Sequence, residues 1–437
     1  MKKLKHIKED FLHYVWQFKL FDANNLQTIQ KEQVKIVHSG IKNTDAGPDF
    51  FNAQLQINGT LWAGNVEIHT KSSDWIKHQH QLDKAYNNII LHVVYEDDQP
   101  ITDSKGNLIS TVELKNKINP NLIEKYHNLL NSKTWIPCEG QIKTVDQFTV
   151  NSWINRLVVE RLERKSTEIK ETLALNKNDW EETFYQYLFK YFGLNINGLP
   201  FHLLAKQTPL KIIEKHPSVR SVEALLYGQA GMLEEELLES YYEHLKKEYQ
   251  FLKNKFNLES IDKSLWKLLR LRPLNFPTIR ISQLANLLVK NPRMFSKIVT
   301  ASSIKEIRSL FYINASNYWD NHYQFGSAAE KKQVKKLGEV TINNIIINVV
   351  VPMLFIYLKE NKIDDNADKV LKYLELLPSE KNTIINKWNK FGIESANSLQ
   401  SQALLELKNN YCSQKKCLNC SVGNNLLKNG KSNSIFF

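Results

Sequence analysis

The dipeptide Asn58-Gly59 lies between two segments, 51–57 and 61–70, in which strand-like runs of apolar and polar residues occur. An Asn-Gly pair in this setting is the strongest short-range signal of a β-hairpin, because both residues accept the positive φ that a type I′ turn requires. We therefore predict two antiparallel strands joined here. Since the turn folds the strands together, Asp49 and Glu67 are expected to converge at one end of the sheet.

The segments around this hairpin predict a mixed α/β domain over residues 1–140. Residues 8–20 have the apolar spacing of a helix, and residues 33–38 alternate as a strand. Residues 78–88 are predicted to form a second helix, and the β-branched run 89–95 a buried strand. The predicted order is helix, strand, hairpin, helix, strand.

The rest of the chain has mainly helical spacing. It predicts a larger all-α basic domain over 141–410, followed by a cysteine-containing C-terminal tail, 411–437, that frays from Ser421. The expected fold class is α+β, with a nuclease-like N-terminal domain as argued below. The longest apolar stretch, 345–357, is interrupted by a proline and is too short to cross a bilayer. No signal peptide is expected, so a cytoplasmic location without a membrane is predicted.

The net charge of +12 is unevenly distributed. Residues 1–140 carry 16 lysines and 16 acidic residues, so the whole excess falls in residues 141–437. A basic half beside a neutral, acid-containing half suits a polyanionic partner such as nucleic acid. The alternative is a lysine-rich surface that is merely solvated. Protein partners cannot be inferred from these charges.

Acidic residues and a histidine are concentrated at the hairpin. Asp49 is near the start of the first strand, and Glu67, His69 and Lys71 alternate along one face of the second. Two carboxylates at one position repel each other unless a cation lies between them. We expect Asp49 and Glu67 to bind Mg²⁺ or Mn²⁺ that activates water, with His69 and Lys71 as further catalytic residues.

Other metal-capable side chains follow closely in the sequence. Four of the twelve histidines fall between residues 69 and 92, which favours a site over chance scatter. The residues expected to support the site from this segment are Asp74, His78, His80, Asp83 and His92. The alternatives are a solvated helix start for His78 and His80, and a buried strand histidine for His92.

Pro48-Asp49 followed by Glu67-x-His69 resembles the motif of the PD-(D/E)XK nuclease superfamily, and the predicted order of elements resembles the core of that superfamily. The resemblance implies that Asp49 and Glu67 are metal ligands and that Glu9, in the first helix, is a further acid. This sequence departs from the motif because His69 replaces the usual lysine. The chain also resembles, over nearly its whole length, an uncharacterised bacterial family of unknown function.

The chain has four cysteines, three of them in a C-x4-C-x2-C run formed by Cys412, Cys417 and Cys420. In a cytoplasmic protein this spacing favours metal over disulfides, and Cys138 would complete a four-thiolate set for Zn²⁺ or a [4Fe–4S] cluster. The alternative is four ordinary thiols. The arrangement resembles RecB-like nucleases whose chain ends are held by a [4Fe–4S] cluster. In those proteins the cysteines bracket the nuclease domain, whereas here they bracket the helical domain.

Three arginines, Arg270, Arg272 and Arg280, flank a proline-containing loop of the helical half. Guanidinium groups match phosphate geometry, so these residues are expected to bind a nucleic-acid backbone. The alternative is a loop that packs inside the domain.

Three functions remain open from the sequence. The first is a metal-dependent nuclease-like enzyme that acts on nucleic acid, with a role in DNA repair or processing. The second is a catalytically inactive nucleic-acid-binding or scaffold protein with the same fold. The third is a metallohydrolase of a small substrate, which requires several of the histidines to converge at one ion.

Overall fold

The computed structural model describes residues 7–269, 271–362 and 366–429, and the chain divides into two compact units. The first unit contains the chain up to Trp153 and again from Leu407 onward. The second runs from Ile154 to Glu406. The segment that the sequence assigned to a separate tail, 411–437, is therefore part of the first unit.

The first unit contains a mixed sheet and a small number of helices. In chain order its elements are α1 (Glu9–Gln17), β1 (Val34–His38), β2 (Ile41–Lys42), β3 (Phe50–Ile57), β4 (Thr60–Lys71), α2 (Asp74–Lys77), β5 (Ile89–Glu96), β6 (Thr111–Glu113) and α3 (Pro120–Asn131). The strand order is β1-β3-β4-β5-β6, with β2 also paired to β3. The first strand pairs are antiparallel, whereas β4 with β5 and β5 with β6 are parallel.

The predicted hairpin is confirmed at β3 and β4, where Ile57 pairs with Thr60. Asn58 and Gly59 have φ angles of 48° and 84°, which are the positive values of a type I′ turn. One face of β4 places Val66 and Ile68 in the apolar core, which also takes in Phe11 of α1. Glu67 and His69 consequently lie on the opposite face.

The helix predicted over residues 78–88 is wrong. Helix α2 ends before this segment, at Lys77, and the segment itself forms two short 3-10 turns, His80–Leu82 and Lys84–Tyr86. Gln79 has a left-handed φ of 60°, which ends α2. The Asp83 carboxylate accepts a hydrogen bond from Ala85 N at 2.9 Å, so a side chain replaces the backbone bond that a continuous helix would make.

The second unit is mainly helical, as expected. Its helices include α4 (Gln147–Leu175), which begins in the first unit, and α5 (Trp180–Phe192), α6 (Leu194–Gln207), α7 (Leu210–Ile213), α8 (Val219–Gln229), α9 (Ser240–Phe256), α10 (Pro277–Lys290), α11 (Met294–Thr300), α12 (Ile304–Leu310), α13 (Glu339–Ile345), α14 (Val351–Glu360), α15 (Asn366–Leu376), α16 (Thr383–Lys390) and α17 (Ser398–Glu406). It is not purely α, because β7 (His322–Gln324) and β8 (Ser327–Ala328) form a hairpin. Gly326, with a φ of 72°, provides the turn.

One helical stretch of this unit, Glu339–Glu360, is long and apolar enough to span a membrane by length and composition. It is longer than the apolar run in the sequence because a π-helical turn at Ile346–Val350 joins α13 to α14. Of its most apolar window, 67% is buried inside the protein, as is typical of a core helix. The absence of a membrane partner remains a prediction.

The C-terminal segment contains α18 (Ser421–Asn429), where the sequence led us to expect fraying. Leu427 is 2% exposed and belongs to the same core as β4, and Val422 and Leu426 are also buried. Val422 and Leu426, four positions apart, lie on one helix face and Leu427 is next to them, which explains why this polar-looking segment folds. Residues 430–437 lie outside the described residues.

Candidate metal centre

The end of the β3–β4 hairpin brings the Asp49 and Glu67 side chains together, as the register predicts. Phe50 pairs with Val66 in antiparallel register. Asp49, which directly precedes β3, therefore lies opposite Glu67 of β4. The Asp49 backbone N–H donates to Glu67 Oε2 at 3.1 Å, and Ile68 N–H donates to Asp49 Oδ2 at 2.9 Å. Each carboxylate is therefore oriented by the backbone of the other strand.

Helix α1 adds a further acid and a histidine to this position. Glu9 and His13 are four residues apart and therefore lie on one helix face. His13 Nε2 lies 3.1 Å from Asp49 Oδ2 and 3.9 Å from Glu9 Oε1. One ligand atom from each of Glu9, His13 and Asp49 falls within 4.8 Å of the others, which defines what we call the acidic group. The sequence reasoning missed His13, although its i, i+4 spacing from Glu9 was a usable signal.

Glu67 and Glu9 are difficult to ionise without a cation. Burial, followed by the charge of Asp49, raises the pKa of Glu67 to about 8 and that of Glu9 to about 7. Burial disfavours the charged form of His13, but the hydrogen bond and charge of Asp49 outweigh it and raise the pKa of this imidazole. A positive charge among these carboxylates, from protonated His13 or from a bound cation, is therefore favourable.

Three histidines next to Glu67 form a second cluster, the histidine group, which comprises His69, His78 and His80. One ring nitrogen from each lies within 4.8 Å of the others. His69 is fully buried, and its Nε2 is 3.1 Å from His78 Nδ1. Its other nitrogen, Nδ1, is 2.8 Å from Nε2 of His92, which lies on the neighbouring strand β5.

The Glu67 carboxylate faces both groups. Its Oε2 accepts from Asp49, whereas its Oε1 is 3.6 Å from His69 Nε2 and 3.3 Å from His80 Nε2. Burial, followed by the neighbouring histidines, lowers the pKa of His69 to about 2, and burial lowers that of His92 to about 3. Both imidazoles are therefore neutral near pH 7, which is the form that binds metal ions.

The other predicted site residues near the hairpin have structural partners. The Asp74 carboxylate accepts from Thr70, from Lys71 N and from Lys77 Nζ at 2.6 Å, so it organises the turn before α2. Asp83 is exposed and caps a 3-10 turn, as described above. The half-exposed Lys71 ammonium lies 3.7 Å from Asp98. Among the residues expected in the catalytic set, Lys71 thus has a carboxylate partner outside the acidic group.

The four cysteines all belong to the first unit, because Leu407–Phe437 is part of it. In sequence they flank the helical unit Ile154–Glu406, as predicted, and all four belong to the unit that contains the sheet. Cys138 and Cys417 both pack against the core that contains Phe11 and Leu427. Cys412 ends a π-helical segment, Leu407–Cys412, Cys417 begins a 3-10 turn, Cys417–Asn419, and Cys420 follows that turn just before α18.

Cys420 is buried and the other three cysteines are partly buried, in surroundings that oppose ionisation of the thiols. Burial, followed by the other cysteines, raises the pKa of Cys417 to about 12 and raises those of Cys138 and Cys412 further. Burial also raises the pKa of Cys420, although backbone N–H groups of Gly423 and Val422 counteract it by hydrogen bonding to the sulfur. Thiolates in this environment require a cation.

The structure separates the three predicted nucleic-acid-binding arginines. Arg280 is only 3% exposed, and its guanidinium donates to Gln283, Asn275 and Thr341, so the expectation that it contacts a phosphate backbone is corrected. Burial lowers its pKa to about 10. Arg272 is exposed, as a phosphate contact requires. Arg270 lies outside the described residues.

A model of one protein family matches most of this chain. Residues 9–383 match the model of a family described as "Protein of unknown function (DUF2851)". The chain belongs to this family. The matched span contains the acidic group, the histidine group and Cys138, and it ends before the other three cysteines. No curated protein and no solved structure matched the chain.

Proposed function

We propose that this protein is a metal-dependent nuclease that hydrolyses phosphodiester bonds in nucleic acid, with the ion held by Asp49, Glu67 and Glu9. The observation that carries the proposal is the convergence of these three acids, from α1, from the residue before β3 and from β4, around the buried Glu67, with Glu9 and Asp49 part-exposed. Like charges this close need a divalent ion or protons to compensate them. The PD-(D/E)XK-like motif described in the sequence agrees with this assignment.

The ion would polarise a phosphoryl oxygen and lower the pKa of bound water. In the hydrolysis, the water oxygen bonds to phosphorus, the bond to the leaving oxygen breaks, and the water proton passes to a base. His69, expected from the sequence to be catalytic, is fully buried and its pKa of about 2 makes it a poor proton acceptor. His13 is the part-exposed imidazole beside the carboxylates, with its Nε2 3.1 Å from Asp49 Oδ2. A neutral imidazole accepts a proton, so histidine can take the part that lysine has in the resembled motif.

Nucleic acid is the proposed substrate because of the charge distribution. Residues 141–437 carry the whole net charge of +12, which favours binding of a polyanion. The exposed side chain of Arg272 is one candidate contact. A role in DNA repair or processing, in the cytoplasm, would fit such an activity.

The test is cleavage of single- and double-stranded DNA and RNA by chelator-treated protein after addition of Mg²⁺, Mn²⁺ or Zn²⁺. A small phosphodiester, assayed in parallel, tests whether the protein is instead a metallohydrolase of a small substrate. Asp49→Asn and Glu67→Gln keep the side-chain size, and each should reduce cleavage by about a hundredfold or more, since even outer-shell partners of a metal contribute about 10–100-fold. Asp45→Asn, an equal charge change at an exposed residue nearby, should cleave like the wild type.

Full cleavage by both folded variants would overturn the assigned site. Binding of nucleic acid without cleavage, whatever the ion, would favour the inactive nucleic-acid-binding alternative. Cleavage of the small ester alone would favour the third function. Circular dichroism of each variant shows whether the fold is intact.

We also propose that Cys138, Cys412, Cys417 and Cys420 hold a [4Fe–4S] cluster that secures the C-terminal segment to the first unit. Around one Zn²⁺ ion, four sulfurs would lie about 3.8 Å from each other. The compact ligand groups found within 4.8 Å among the described residues do not include these thiols. A cluster, which is larger than one ion, suits thiols at wider spacing. Brown protein with broad visible absorbance is expected after anaerobic purification, whereas colourless protein with stoichiometric zinc would overturn the cluster.

A further inference from the structure

We propose that His69, His78 and His80, with the Glu67 carboxylate beside them, bind a divalent transition-metal ion of the Zn²⁺ or Co²⁺ type at a site of its own next to the acidic group. The proposal concerns binding and does not depend on cleavage of nucleic acid. It is carried by the geometry of the donor atoms, by the residues that orient them and by the chemistry of imidazole.

The spacing of the donor atoms fits one ion. Ligands at 2.0–2.1 Å from an ion are about 3.3 Å apart in a tetrahedron, and about 2.9 Å apart for adjacent ligands in an octahedron. Nε2 of His69 is 3.1 Å from Nδ1 of His78 and 3.6 Å from Oε1 of Glu67. The same Glu67 oxygen is 3.3 Å from Nε2 of His80. These three edges have lengths that one ion permits, and the three histidines alone form the compact group, with Glu67 at its border.

Neighbouring residues orient the three rings. His69 uses its other nitrogen for a 2.8 Å contact with His92, which is the usual outer partner of a metal-binding imidazole. The His80 ring stacks on Tyr86, with centroids 3.9 Å apart, and meets the edge of Trp75. His78 is exposed, so an ion can reach the site from solvent.

A network of hydrogen-bonded neutral histidines is the competing explanation. Each neutral imidazole has one donor and one acceptor, so contacts with His78 and His92 can satisfy both nitrogens of His69. In this explanation the buried Nε2 of His80 makes no hydrogen bond of adequate geometry, although Oε1 of Glu67 lies 3.3 Å away. Such a nitrogen is costly to bury. An ion accounts for it, because Nε2 is the atom that His80 directs at Glu67.

The donor set also identifies the class of ion. Imidazole suits Zn²⁺, Co²⁺, Ni²⁺, Fe²⁺ and Cu²⁺, whereas Mg²⁺ prefers oxygen ligands. A set of three imidazoles therefore selects a transition metal here. The acidic group, which has two carboxylates and one histidine, suits Mg²⁺ or Mn²⁺ better. The two groups have Glu67 between them, so they are adjacent yet differ in preference.

The experiment measures Co²⁺ binding by chelator-treated full-length protein. His78→Gln is the main variant because the exposed side chain can change without loss of the fold, and His80→Gln is the second. His38→Gln, at an exposed histidine of β1, is the matched control. Proton NMR of the Co²⁺ protein reports bound histidines directly, since ring N–H protons of ligated imidazoles shift far outside the normal range.

The wild type and His38→Gln should bind one more Co²⁺ ion per chain than His78→Gln, or bind that ion about a hundredfold more tightly, since even outer-shell partners contribute about 10–100-fold. Both proteins should also show the shifted histidine signals. Equal Co²⁺ binding by all proteins, or signals that persist in both His78→Gln and His80→Gln, would overturn the proposal. Asp49→Asn should keep these signals while it loses nuclease activity. If Asp49→Asn loses them too, the separate site is overturned, whereas absent cleavage with intact signals would count against the nuclease alone.

Discussion

Arg280 and Glu67 are both buried charged residues, yet their neighbours differ in a way that separates structure from function. The Arg280 guanidinium donates to three neutral oxygen acceptors, from Gln283, Asn275 and Thr341. Glu67 lies instead beside a second carboxylate, with the ring nitrogens of His69 and His80 on its other side. Hydrogen bonding explains the buried arginine, while the acid has an unfavourable charge environment of the kind that marks functional sites.

Arg280→Met should lower the free energy of unfolding by about 3 kcal/mol, because each buried acceptor left without a donor costs about 1–3 kcal/mol. The matched variant Arg272→Met changes an exposed residue and should stay within about 0.5 kcal/mol of the wild type. Urea unfolding measures both.

The same pair of variants tests the location of any phosphate contact. If Arg272 contacts a phosphate, Arg272→Met should reduce the salt dependence of nucleic-acid affinity by about one released counterion. Arg280→Met should leave that salt dependence unchanged. A normally stable Arg280→Met protein with weaker nucleic-acid binding would contradict the structural role of this arginine.

At the scale of elements, the turns before α18 are tightly packed around the cysteines. A Cβ added at Gly423 would lie 2.2 Å from the backbone oxygen of Cys417, a distance that requires the backbone to move. Gly423 also contributes a backbone N–H to the Cys420 sulfur. The start of α18 and the cysteine turn are therefore mutually positioned.

Gly423→Ala should reduce the iron or zinc bound by the cysteines, because the displaced turn moves Cys417 and Cys420 away from each other. Gly140→Ala, near Cys138, is the control, since nothing lies within 4 Å of an added Cβ there. Metal analysis of both purified proteins gives the answer. Equal metal content in the two variants would show that this packing does not shape the site.

On the scale of the whole molecule, the first unit is built from both ends of the chain. Leu427 of α18 lies in the same core as Phe11, Val66 and Tyr126, all of which come from the N-terminal third of the chain. The C-terminal segment therefore contributes to the stability of the unit that holds the acidic and histidine groups.

Leu427→Ala should destabilise the first unit by about 2–5 kcal/mol, because it removes buried apolar volume and leaves a cavity. Leu238→Ala, at a leucine that is 98% exposed, should have almost no effect. Hydrogen exchange resolves the two units, and faster exchange in α1 and β3–β5 is the expected result. Unchanged exchange there would contradict a core shared by both ends.

The strands and many helices could be predicted from the sequence because they depend on local signals. Alternation predicted β1 and β3, the Asn58-Gly59 hairpin predicted the returning strand β4, and a β-branched run predicted β5. The same turn determined which residues of β3 and β4 face each other. That register was enough to bring Asp49 next to Glu67. The helix predicted over 78–88 does not form, because Gln79 adopts a left-handed φ and the Asp83 side chain accepts a hydrogen bond from the backbone of Ala85.

The sequence by itself determined the mixed α and β architecture, the hairpin and the pairing of Asp49 with Glu67, since these follow from backbone periodicity and a short turn. Only the tertiary structure decided that His13 lies beside the acids and that Arg280 is buried. It also decided that α18, and the cysteines that precede it, belong to the first unit. These outcomes depend on packing between residues far apart in the chain. Local periodicity identifies which face of a helix or strand is apolar, but not which partner will cover it.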